Sequence, residues 1–127
     1  MHAVLLFSAV PLFIGALLSD WAYASSYQIQ WANFASWLNA GGLVLVGLAL
    51  LLGLIDFIRR RATVERRAGL YLAVLAIGFG VGFVNALIHA KDAWAVMPEG
   101  LWMSVLVLLL LLIASGLAWT GLNRRTA

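Results

Sequence analysis

The chain has 127 residues, 65% of them hydrophobic and only 10% charged. A water-soluble domain carries about 45–50% apolar and about 25% charged residues, so this chain cannot coat a surface with charge, and lipid must be its solvent over much of its length. It contains no cysteine, which excludes disulfides, thiolate metal sites, iron–sulfur clusters and covalent haem attachment.

Four apolar stretches follow one another, over residues 3–23, 34–58, 68–90 and 100–122. Each is about as long as the roughly 20 helical residues that span a hydrocarbon core. Runs such as LVLVGLALLLGLI (43–55) and VLVLLLLLIA (105–114) do not alternate in polarity, which excludes membrane strands. The expected fold is all-α, a single integral membrane domain over 1–127 built as a bundle of four transmembrane helices. The first stretch lacks a positive leader and carries Pro11, so it reads as a span with a mild kink and not as a cleaved signal.

The connections carry the topology signal. Residues 24–33 hold no Lys or Arg, whereas RRRATVERR (59–67) holds five Arg against Glu65, and the tail NRRTA adds two more. Basic loops stay cytoplasmic. Arg59, Arg60, Arg61, Arg66 and Arg67 therefore place their loop inside, with both termini on the same side and the other two loops outside. The loop also suits anionic lipid; it is too short and mixed in charge for nucleic acid. Trp21, Tyr23, Tyr27, Trp31, Trp37, Trp94 and Trp102 gather at the outer boundary, where amphipathic rings anchor a bundle or receive a partner.

At 100° per residue, Tyr71, Gly78, Gly82, Asn85, His89 and Asp92 fall within about 80° of one another on the third helix. Gly78 and Gly82 form a G-x-x-x-G pair that admits a neighbouring backbone, so the polar residues of the stripe face protein too. His2 and Asp20 share a face with Ala9, Phe13 and Ala16; Gly42, Ala49, Gly53 and Asp56 share another; Ser104 and Ser115 share a third. The glycines Gly42, Gly53, Gly78 and Gly82 are packing positions, open to use within the bundle or between copies in a homo-oligomer.

Depth sorts the polar residues. Asp20, Asn39, Asn85, His89, Asp92 and Ser104 lie toward the outer ends, His2, Asp56, Arg59 and Tyr71 toward the inner ends, and the middle holds no ionisable side chain. An empty middle argues against a pump or ion-coupled transporter. His2 and His89 lie a membrane thickness apart and cannot hold one haem between them. A His89 pair from two copies, or His89 with a partner's ligand, stays open. Asp20 and His89 can pair, either to fix helix register with Asn85 or to meet a quinone headgroup, a haem edge or a partner. Asp56 with Arg59 or Arg60 has the spacing of a capping salt bridge. No hydrolase elbow, phosphate loop, H-E-x-x-H or dinucleotide fingerprint occurs, so no enzymatic activity is expected.

The segments GALLSDWAY (15–23), WANFASWL (31–38), GLIDF (53–57), VNALIHAKDA (84–93) and MPEGLWMS (97–104) resemble a family of small bacterial inner-membrane proteins with four helices, catalogued as a domain of unknown function. The resemblance runs in order over nearly the whole chain. It implies that Asp20, Asp56, Asn85, His89, Asp92 and Pro98 occupy recurring positions, and that His2 matches the histidine of an H-P pair in which Ala3 here replaces the proline. Tyr71 and Val74 stand where the family pattern has His and Asn, and the C-terminal basic segment is reduced to GLNRR (121–125). Relatives fused to cytochrome c-type or Rieske-type domains imply a redox neighbourhood. The expectation is a non-catalytic inner-membrane subunit or anchor of an electron-transfer partner, with Asp20, Asn85 and His89 touching a quinone or a haem shared with that partner on the periplasmic side. The alternatives are a self-associating structural bundle and a small-solute transporter.

Overall fold

The computed structural model describes residues 1–60, 65–92 and 95–126, apart from the side chains of 125 and 126; Arg61 and Trp94 lie outside this set. Among the described residues the chain forms four α-helices and no strand: α1 His2–Ser26, α2 Ile29–Arg59, α3 Arg66–His89 and α4 Glu99–Thr126. All four are long and apolar enough to cross a membrane.

The helices overrun the apolar stretches. The connection between α1 and α2, expected as ten residues, is reduced to a turn at Tyr27 and Gln28, where Tyr27 closes α1 in the left-handed region at φ 54°. Apolarity marks the part of a helix that lipid covers, whereas backbone hydrogen bonding continues into the headgroup layer, where Ser25 and Ser26 bond back to Trp21 and Ala22. α1 runs unbroken through Pro11, which faces outward.

Neighbours run antiparallel in the ring α1–α2–α3–α4, with α1 opposite α3 and α2 opposite α4. Buried residues step by threes and fours: Tyr71, Leu75, Gly78, Gly82, Asn85 and His89 on α3, and Ser104, Val107, Leu111, Ala114 and Ala118 on α4. That is the seam of coiled-coil-like bundles. Phe13, Val46, Leu75, Val107 and Leu111 fill the middle of the core. Large side chains such as Val4, Leu18, Leu51, Ile77, Leu109 and Ile113 point outward, an inversion that only a lipid solvent tolerates. Ser115 stands beside the α4 seam rather than in it, its hydroxyl bonded to Leu111 O at 2.8 Å.

The glycines named from sequence are consumed inside the chain. A Cβ on Gly42 would lie 2.5 Å from the Phe13 ring, one on Gly82 2.7 Å from Leu43, one on Gly53 2.9 Å from Leu72 and one on Gly78 3.3 Å from Leu111. Close approach replaces the hydrophobic drive that is missing between helices in lipid. These faces are therefore not available for self-association; glycines facing open space are Gly69, Gly80, Gly116 and Gly121. Gly82→Leu should overpack the core and destabilise the bundle by about 1–3 kcal/mol or more, read as a lowered melting temperature in detergent, while Gly80→Leu leaves the melt unchanged. A change of oligomeric state in Gly82→Leu without loss of stability would contradict this packing.

Candidate polar site at the aromatic end

One end of the bundle carries Trp21, Tyr27, Trp37 and Trp102 exposed, with Tyr23 turned into the core against Tyr27; the other carries Arg59, Arg60, Arg66, Arg67 and Arg124, all exposed. Near the aromatic end three of the helices present polar side chains to one another. Asp20, on the core face of α1, is fully buried and receives a hydrogen bond from Ser104 Oγ of α4. Its other oxygen lies 2.7 Å from His89 Nε2 on α3. His89 Nδ1 lies 2.9 Å from the backbone oxygen of Asn85, one turn earlier, and Asn85 Nδ2 donates to Ser104 Oγ at 3.0 Å.

Hydrogen-bond valence fixes the direction of this ring. A backbone carbonyl only accepts, so His89 Nδ1 carries a proton. Ser104 accepts from Asn85 and therefore spends its own proton on Asp20. Between His89 Nε2 and Asp20 Oδ1 there is then one proton, held either as imidazolium with carboxylate or as imidazole with carboxylic acid. Both forms keep the same four bonds, and both are neutral overall. A neutral pair whose ionisable groups are both hydrogen-bonded is the form in which such groups are tolerated away from water.

The sequence-predicted residues Asp20, Asn85 and His89 thus come together. Asp92 stays exposed, outside the ring. Sequence reasoning left Ser104 out of the site and missed Gly100, although Ser104 closes the ring. A Cβ on Gly100 would stand 3.2 Å from His89 Cε1, so the glycine lets α4 pass the imidazole. The sequence signals for Ser104 were the face it shares with Ser115 and its place toward the outer end of a long apolar helix.

Asn39 was noted only for its depth. It is buried on α2, and neither its amide nitrogen nor its amide oxygen has a partner; Asn85 Oδ1 also has none. Leu43, one turn from Asn39, covers Gly82, one turn from Asn85, and α2 and α3 are antiparallel. Asn39 and Asn85 are therefore level with each other, one layer inside the Asp20–His89 pair.

The ring fits its candidate ligands unequally. Both nitrogens of His89 are engaged, so iron ligation would require breaking a buried bond, and the arrangement does not suit an axial haem ligand. The unpaired Asn39 amide suits a carbonyl oxygen or water. At the opposite end His2 Nδ1 lies 3.1 Å from Tyr71 OH, and Asp56 pairs with Arg60 at 2.9 Å. The partner of Asp56 is thus Arg60 rather than Arg59, whose side chain is exposed.

Residues 1–124 match the family described as predicted membrane protein (DUF2231). The chain belongs to that family. The match covers the stretch over which the sequence resemblance ran, and it brings no established activity with it. No curated protein and no solved structure matches the chain.

Truncating one member of a buried pair strands the other, at a cost of about 3–5 kcal/mol. Asp20→Ala and His89→Ala should each destabilise the bundle by that order, and the double variant by clearly less than their sum. Chemical denaturation of the four proteins in detergent measures the coupling; additive losses would show that the pair does not act as a unit.

Proposed function

We propose that this chain is a non-catalytic membrane subunit that anchors an electron-transfer partner, docked at the aromatic end. The observation that carries the non-catalytic part is the closed hydrogen-bond ring of Asp20, His89, Asn85 and Ser104. It engages both ring nitrogens of His89 and both carboxylate oxygens of Asp20, and it joins α1, α3 and α4 in one arrangement. A rigid end rimmed by exposed Trp21, Tyr27, Trp37 and Trp102 suits a partner at the membrane surface. The electron-transfer character of that partner rests on the family resemblance, and by the basic-loop rule the aromatic end faces the periplasm of a bacterial inner membrane. Purification from native membranes in mild detergent, with mass spectrometry of proteins at matched stoichiometry, tests the reading. A co-purifying cytochrome, Rieske protein or dehydrogenase supports it. Recovery of the chain alone or only with itself would sink it and leave a purely structural bundle.

A second reading is favoured by one feature, the unpaired amide groups of Asn39 and Asn85. They lie beside a pair that can release a proton, which is the combination that a quinone headgroup requires: a donor to its carbonyl and a nearby proton. Asn39→Leu removes two orphaned polar atoms and should raise the melting temperature. On this reading it also lowers quinone-linked respiration of membrane vesicles; unchanged respiration would remove quinone from the account.

A further inference from the structure

The Arg-rich end holds a cavity of about 340 Å³ where the starts of α1 and α3 meet the ends of α2 and α4. That volume lies within the roughly 300–1,000 Å³ range of small-ligand sites. We infer that this cavity binds a phosphate-bearing anion, with an anionic phospholipid headgroup as the occupant that its walls fit best.

Its floor is polar. Gly53 lines the cavity, and Tyr71 and His2 stand against that glycine. The phenol is bonded to the imidazole at 3.1 Å, with the rings 5.4 Å apart. In the tautomer whose Nδ1 carries the proton, His2 donates to the phenol oxygen and the Tyr71 O–H is left for an acceptor in the cavity. The rim is basic: Arg60, Arg67 and Arg124 against Asp56 and Glu65. The Asp56 carboxylate is already bonded to Arg60. Arg67 and Arg124 make no ion pair among the described residues, and they outnumber Glu65. Guanidinium groups over a hydroxyl floor suit phosphate oxygens, which accept several bonds and keep their charge.

The third wall selects a lipid. Leu72, Leu117 and Leu122 line the same cavity, and Leu122 is exposed on the outer surface of the bundle. An acyl chain leaving a phosphate held by Arg67 and Arg124 can lie along these leucines. Basic pockets between membrane helices take anionic headgroups in this manner. This cavity joins polar groups, a basic rim and an apolar wall.

The test titrates the full chain, solubilised in neutral detergent, with short-chain phosphatidylglycerol, with phosphatidylcholine of the same chain length and with inorganic phosphate, all read by native mass spectrometry. Phosphatidylglycerol should bind preferentially. Arg67→Gln with Arg124→Gln should weaken it on the order of thirty-fold, while Arg66→Gln, which removes an exposed charge outside the cavity, leaves it near wild type. Inorganic phosphate that binds with the same dependence on Arg67 and Arg124, and displaces the lipid, would support the anion site and name free phosphate as its ligand. Equal binding of phosphatidylcholine, or an Arg66→Gln loss as large as that of the double variant, would overturn the proposal. Tyr71→Phe keeps the buried ring and removes only the hydroxyl. It should weaken phosphatidylglycerol several-fold, and it decides the matter by itself if the arginine variants lose their helical circular dichroism; unchanged affinity in Tyr71→Phe would then refute the site.

Discussion

A carboxylate and an imidazole sharing one proton inside a lipid-embedded bundle can find partners only in the protein, and the aromatic end is arranged around that constraint. Asp20 and His89 belong to α1 and α3, which stand diagonally opposite and do not pack closely against each other. Their side chains reach across the centre. Ser104 brings α4 into the same ring, and Asn85 supplies both a backbone acceptor and an amide donor. If α1, α3 or α4 rotated or slid, a polar atom of the ring would lose its partner in a medium that offers no water. The ring therefore specifies register more sharply than the apolar layers below it, where one methyl group can substitute for another.

The diagonal is bridged a second time at the Arg-rich end, by His2 and Tyr71. Between the layer of Asn39 and Asn85 and the His2–Tyr71 bridge the interior is apolar and narrow: Phe13 presses on Gly42, Leu43 on Gly82, and Leu111 on Gly78. Small residues admit the large ones opposite, which draws the backbones together where no hydrophobic force does so. The result is a sealed middle with two chemically distinct ends. One is a closed, neutral polar ring, and the other an open cavity with a basic rim. Among the described residues, the buried polar and charged groups gather toward the aromatic end, and the middle of the core is built from apolar side chains.

Much of this was legible in the residues. The stripe of Gly78, Gly82, Asn85 and His89 could be placed on one inward face because a helix repeats every 3.6 residues and lipid rejects an exposed amide. Other features were not legible. Gly100 carries no periodic signal of its own and Ser104 only the face it shares with Ser115, and their roles exist only where α4 passes α3 and α1. Asn39 reads as one more outer polar residue until its lack of partners is seen in three dimensions. The G-x-x-x-G pair could not say whether its close neighbour was a second copy or another helix of the same chain, and the packing answers that it is the same chain.

The amino-acid sequence by itself determined that the chain spans a membrane, how many helices it forms, and which face of α1, α2 and α3 turns inward. These follow from segment length and periodicity against a solvent of known thickness. Helix order around the ring was decided only by the tertiary structure, because short connections restrict neighbours but do not choose the diagonal. With α1 opposite α3, Asp20 meets His89 at one end and His2 meets Tyr71 at the other. Those contacts join residues remote in sequence, and no local pattern encodes them.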